Sequence, residues 1–256
     1  MTNVVVISGG GTGIGFASAV YFARKGAQLV LLGRRAHILT DAAKRLAAEL
    51  PAAPAALCLT GDLSAAESAE GVVGRIREAF THVDVLVNAA GGSVVMQASD
   101  AQYADGLAGV ARRWTDNFRL NVLSTVLLTE GLRDRLRSPG GRILFVSSIA
   151  AYRGSVQGCY AAAKAALHPY TYDLATALGP KGITVNTVAP GYIRDTEFFG
   201  EKLSDERRET LIAQTMNKRP GTPEDVANTI GWLASPEASH VTGQIIQVNG
   251  GAERGR

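Results

Sequence analysis

The sequence predicts an α/β fold, a single parallel sheet doubly wound with helices on both faces, and three observations carry that expectation. Short apolar runs rich in Val, Ile and Leu recur along the chain and alternate with stretches of helical periodicity, the pattern of buried parallel strands joined by crossover helices. The 256 residues contain no Ser/Gly-rich linker and no internal repeat, so one domain over 1–256 is expected. Hydrophobic residues make up 46 % and glycines number 29, which suits a buried sheet connected by many tight turns.

Val4 to Ile7 reads as the first strand and runs directly into Ser8-Gly9-Gly10-Gly11-Thr12-Gly13-Ile14-Gly15. Glycines 9, 13 and 15 can take φ > 0 without a Cβ penalty, letting backbone N–H groups approach an anion that the next helix N-terminus also favours. Phe16 to Ala23 has helical periodicity and stops at Lys25-Gly26, a C-cap pair. Leu29 to Leu32 is the second strand, completing a βαβ unit of about 30 residues, the size of a dinucleotide-binding half. A helix from about Ala36 to Leu50 ends at Pro51-Ala52-Ala53-Pro54, and Ala56 to Leu59 follows as a short strand. Further strands are expected at Val83–Val87, Gly141–Val146, Ile183–Val188 and Gln244–Val248, with helices near 66–80, 110–137, 158–178 and 223–234. His168-Pro169 falls inside the third of these helices and should bend or interrupt it. Two polar stretches after strand ends, 92–109 and 192–219, the latter with Phe198-Phe199, are the candidate substrate loop and lid.

A net charge of +3 without any basic run gives no argument for nucleic acid. Cys58 and Cys159 have no paired spacing, and the four histidines are scattered, so neither a disulfide framework nor a metal site is expected. No apolar run approaches the ~20 residues that span a bilayer, and the N-terminus lacks a signal-like pattern; a cytoplasmic protein without membrane contact is the expectation.

Tyr160 and Lys164 lie four apart in a sequence of strong helix propensity, hence on one helix face. A nearby ammonium favours the ionised phenol, so Lys164 is expected to draw the Tyr160 pKa down towards a value useful for proton transfer.

These residues and five other motifs resemble the short-chain dehydrogenase/reductase family almost end to end: Gly9…Gly13-Ile14-Gly15, Asn88-Ala89-Ala90-Gly91, Ser147-Ser148, Pro190-Gly191, and Val241-Thr242-Gly243-Gln244…Val248-Asn249-Gly250-Gly251. The resemblance implies a Rossmann fold that binds a nicotinamide dinucleotide, with Tyr160 donating a proton to a substrate carbonyl and Lys164 holding the nicotinamide ribose. It implies that Asn121 supports a proton-relay water, the other reading being a buried Asn bonded to helix backbone. A serine would hydrogen-bond the carbonyl oxygen. Ser148 fits the local pattern although it stands 12 before Tyr160, and Ser147, at the family's commoner spacing of 13, is the alternative. Strand alternation allows only one of the two into the cleft.

The resemblance also implies cofactor contacts by Gly9, Thr12, Gly13, Ile14, Gly15, Asn88, Ala89, Gly91, Tyr160, Lys164, Pro190, Gly191, Ile193 and Thr196. Asp62 and Leu63 would contact adenine, Asp62 being equally readable as a helix N-cap. The second strand ends Gly33-Arg34-Arg35 with no carboxylate, so the 2′-phosphate of NADP(H) should be bound, chiefly by Arg34 with Arg35 beside it. The implied activity is NADP(H)-dependent reduction of a ketone, most like the 3-oxoacyl-thioester reductases. The alternative is a dehydrogenase of a steroid, sugar or other secondary alcohol. A non-catalytic nucleotide sensor is disfavoured by the retained Tyr160, Lys164, Asn121 and serine. A homotetramer and a small-molecule substrate complete the expectation.

Overall fold

The computed structural model describes residues 3–97, 103, 106–155, 158–199 and 203–254. Seven strands form one sheet: β1 (Val4–Ser8), β2 (Gln28–Gly33), β3 (Leu57–Thr60), β4 (Val85–Asn88), β5 (Arg142–Val146), β6 (Thr184–Pro190) and β7 (Ile245–Val248). Their order is β3-β2-β1-β4-β5-β6-β7 and every pairing is parallel. The helices are α1 (Gly13–Arg24), α2 (Ala36–Glu49), α3 (Ala66–Ala79), α4 (Val94–Gln97), α5 (Gly106–Phe118), α6 (Ser124–Leu132), α7 (Ala150–Arg153), α8 (Cys159–Ala165), α9 (Leu167–Leu178), α10 (Asp205–Ala213) and α11 (Pro223–Leu233).

Both faces of the sheet are covered, and side-chain alternation sorts each strand between two cores. Val5, Ile7, Leu29, Leu31, Val87 and Leu144 pack with Phe16, Phe22, Leu39 and Ile230 of α1, α2 and α11. Val6, Val30, Leu32, Leu86, Ile143 and Phe145 pack with Val72, Ile76, Leu128, Leu167 and Leu174 of α3, α6 and α9. The interior strands β1, β4, β5 and β6 are buried throughout, which is why β1, β4 and β5 read as near-continuous apolar runs, whereas β6 also buries Thr184, Asn186 and Thr187.

Three local departures from regular helix shape the site. The expected helix at 110–137 is α5 and α6 joined by one wide π turn, Arg119–Leu123, and Asn121 lies in that turn. The helix carrying Tyr160 is interrupted as expected: α8 ends at Ala165 and α9 begins at Leu167. Pro169 lacks the N–H that would bond Ala165, and its ring crowds that carbonyl, so the break falls one turn before the proline. The expected lid region contains α10, a nine-residue helix with no buried residue. Parts of the two expected loops, residues 98–102, 104, 105 and 200–202, lie outside the described residues.

Candidate active site

The order of the sheet reverses between β1 and β4, and ligands of open α/β sheets bind outside the strand C-termini at such a point. A cleft of about 1150 Å3 opens there, running from Arg34 and Asp62 past the glycine-rich turn to Ser148, Tyr160 and Phe198. The loops after β1 and β4 touch at its floor: a Cβ on Gly9 (φ +68°) would lie 2.9 Å from the Ala90 nitrogen, and Ala90 N–H donates to Ser8 Oγ at 3.1 Å. Gly13 has positive φ as expected, but Gly15 does not; it is required because a Cβ there would stand 2.1 Å from the Gly9 carbonyl oxygen. Thr12 is the N-cap of α1 and its side chain makes no hydrogen bond to the first N–H groups of that helix, whose N-terminus lines the cleft.

At the end of β2, Arg34 and Arg35 both line the cleft. Arg35 is held by Glu197 at 2.6 Å, whereas Arg34 makes no ion pair among the described residues. Asp62 is not the N-cap of α3, a position taken by Ala65; its Oδ1 accepts from Ser64 N–H at 2.9 Å and Ser64 Oγ at 2.7 Å. The two Ser64 bonds and the Arg34 and Arg119 charges hold its carboxyl below the usual range against the opposing effect of partial burial. Leu63, Ala89, Gly91, Pro190, Gly191, Ile193 and Thr196 line the cleft, with Thr196 Cγ2 packed 3.4 Å from where a Cβ of Gly13 would be. Asn88 is placed elsewhere: its amide donates to Thr129 Oγ1 at 3.1 Å and ties β4 to α6.

The two serines after β5 part company. Ser147 is buried, its hydroxyl donating to the Lys164 carbonyl at 3.0 Å with His168 Nε2 at 2.9 Å. Because its one proton is committed to that carbonyl, His168 Nε2 is the donor to Ser147 Oγ. Ser148 accepts from Ala150 N–H at 3.1 Å and hydrogen-bonds the Tyr160 hydroxyl. Ser148 is therefore the serine beside the phenol.

Lys164 is buried, its ammonium donating to the Val146 carbonyl at 2.8 Å and lying 5.9 Å from the Tyr160 ring centroid. Desolvation lowers its pKa to about 8. The Tyr160 phenol is pushed up to about 12 by burial, with the Ser148 bond acting in the opposite direction. The expected lowering by Lys164 does not dominate, because the ammonium sits over the ring and is engaged by a carbonyl while burial penalises the phenolate.

Asn121 is fully buried and does not line the cleft. Its Oδ1 accepts from Gly92 N–H at 3.0 Å, and its Nδ2 donates to the carbonyls of Gly92 at 2.8 Å and Asn117 at 3.0 Å. The side chain thus clamps the loop after β4. Gly91 fits between Asn121 and Lys164, where a Cβ would meet Asn121 Oδ1 at 2.7 Å and Lys164 Nζ at 2.8 Å.

Asn117, Tyr192 and Tyr152 had not been singled out from sequence, and Phe198-Phe199 only as part of the expected lid. Asn117, four before Asn121, donates to Cys159 Sγ at 3.2 Å and so anchors the start of α8. Tyr192, Phe199, Phe198 and Tyr160 form a continuous aromatic wall with successive centroid separations of 5.9, 4.8 and 5.1 Å. Tyr152 lines the same end of the cleft and packs on His168.

The glycine cradle at Gly9, Gly15 and Gly91, the N-terminus of α1 without a side-chain cap and the basic end of β2 fit a phosphate-bearing dinucleotide laid across the switch point. This is the frame of a dinucleotide-dependent oxidoreductase. A family model described as enoyl-(acyl carrier protein) reductase matches residues 9–253. The chain belongs to the short-chain dehydrogenase/reductase family and is a nicotinamide-dependent oxidoreductase. It is 36 % identical over 190 residues, 72 % of each chain, to 3-oxoacyl-[acyl-carrier-protein] reductase FabG of Vibrio cholerae. It is 32 % identical over 254 residues to the protein of the same name from Escherichia coli K12, covering 97 % of this chain and 96 % of that one. Among solved structures, a short-chain dehydrogenase/reductase from Mycobacterium ulcerans superposes with a TM-score of 0.86 at 29 % identity, over 98 % of this chain and 89 % of the other.

Proposed function

We propose that this protein reduces a 3-oxoacyl thioester, or a ketone of similar shape, with NADPH. The observation that carries the reading is the triad at the cleft wall: a protonated Tyr160 phenol, bonded to Ser148, above the buried Lys164 ammonium. When bound, the dinucleotide supplies the hydride for the carbonyl carbon. Ser148 orients the carbonyl oxygen and offsets the charge developing there, and Tyr160 Oη delivers its proton to that oxygen. Lys164, a cation at neutral pH, lowers the energy of the phenolate left behind. Asn121 acts at one remove, through the backbone of Gly92.

Preference for NADP(H) is supported by the absence of a carboxylate at the end of β2 and by Arg34 and Arg35 lining the cleft there. The acyl-thioester class is supported by the names of the two bacterial relatives and by the aromatic wall beside Tyr160. We assign the protein to the cytoplasm as a homotetramer. Its two cysteines are free and no helix among the described residues is long and apolar enough to cross a membrane. Leu107, Val110, Trp114 and Phe118 form an exposed apolar stripe along α5, suited to a second copy of the chain.

The test is oxidation of NADPH by the purified protein with an acetoacetyl thioester, NADH being run in parallel. Turnover is expected with NADPH and should fall at least about 100-fold in Tyr160→Phe, with dinucleotide binding retained. Equal turnover with NADH would remove the role given to Arg34. Unchanged turnover in Tyr160→Phe would remove the role given to the phenol.

A further inference from the structure

The ion pair between Arg35 and Glu197 joins residues 162 apart in sequence and spans the cleft. One end follows β2, where the reading above places the cofactor's 2′-phosphate. The other belongs to the segment after β6 that lies over the glycine-rich turn, with Thr196 against Gly13. The next residue, Phe198, stands against the Tyr160 ring at 5.1 Å. A single short segment therefore touches both the phosphate end and the reacting end of the site.

We propose that Glu197 is a cofactor-specificity residue that competes with the 2′-phosphate of NADP(H) for Arg35. Both side chains of the pair are 52 % exposed, so the bond is weak and readily exchanged. A phosphate monoester carries up to two charges and three acceptor oxygens, and a guanidinium matches it bidentately, so it displaces a single half-exposed carboxylate. NADH has a hydroxyl at that position and leaves Arg35 with Glu197. Once Glu197 is released, the backbone that leads into Phe198 and the aromatic wall beside Tyr160 loses this tether to the end of β2. Glu197 thus sets the affinity for the phosphorylated dinucleotide through its hold on Arg35.

The proposal rests on the NADP(H) reading of Arg34 and Arg35, and one experiment separates the two. Dissociation constants for NADPH and NADH are measured by calorimetry for the wild type, Glu197→Gln, Arg35→Gln and the double variant. The positions are exposed, so each variant is expected to fold, which a thermal melt checks. Glu197→Gln should bind NADPH about fivefold more tightly and NADH within twofold of the wild type, since only the phosphate competes with the carboxylate. In the Arg35→Gln background the same substitution should leave NADPH binding unchanged. Equal wild-type affinity for the two dinucleotides would overturn the phosphate reading. A wild-type preference for NADPH with unaltered affinity in Glu197→Gln would keep that reading and overturn the competition, as would a gain that persists without Arg35.

Discussion

Ser147 and Ser148 are neighbours with the same functional group, yet one bond pattern makes the first a brace and the second a partner of the phenol. Ser148→Ala removes a donor to the reacting oxygen and the acceptor of the half-buried Ala150 N–H; kcat should fall about 100-fold in steady-state assays, with a smaller loss of melting temperature than at the fully buried Ser147. Ser147→Ala strands the Lys164 carbonyl and His168 Nε2, costing about 1–3 kcal/mol and several degrees of melting temperature, with a smaller effect on kcat. A melt and a rate on each variant separate the two. From the sequence, alternation said that only one serine could enter the cleft but not which one, because the answer depends on how far the chain turns after β5. Tyr160 and Lys164 stood out only because five further motifs in the expected order gave their four-residue spacing its context. Their pKa values were not legible, since burial outweighed the neighbouring charge, and burial is a tertiary quantity.

The β1 turn, α1 and β2 form the element to which the proposed function assigns the dinucleotide, and Gly15 is its tightest point. Gly15→Ala would drive a methyl group to 2.1 Å from the Gly9 carbonyl, so the turn must open. The expected outcome is a folded protein with dinucleotide affinity lowered more than about 10-fold, measured by fluorescence titration. All seven strands could be read: β1, β2, β4 and β5 from near-continuous apolar runs, because a strand buried on both faces carries its signal in nearly every residue, and β6 and the partly exposed edges β3 and β7 from short β-rich segments between helical stretches. Helix α10 could not. Its first five residues, Asp205 to Glu209, are all charged, and none of its nine is buried, so no apolar periodicity existed to be read. The one available signal was the cap: Ser204 Oγ accepts from Arg207 N–H at 3.2 Å, a helix start followed by two acidic residues.

Across the whole molecule, the buried Lys164 and Tyr160 make stability depend on pH in opposite senses. The Lys164 pKa is about 8 in the folded chain against 10.5 in the unfolded, so the folded state releases its proton first and stability rises from about pH 8 to 10.5. Its full extent would be on the order of 3 kcal/mol, an upper bound. Tyr160, at about 12 folded against 10 unfolded, acts in reverse: the unfolded chain ionises first, and stability is lost between pH 10 and 12. Melting curves from pH 7 to 10 on the protein without dinucleotide should therefore show a rise that Lys164→Met abolishes. A flat wild-type profile would mean that the ammonium keeps its hydration. The same molecule is unevenly anchored. Its nucleotide half is built from strands and helices sharing two cores, whereas α10 contributes no side chain to either. That asymmetry makes the enzyme modular: residues 203–214 could be grafted from a relative without repacking the interior. New substrates could then be acquired by exchanging one exposed cassette while the redox machinery is inherited unchanged.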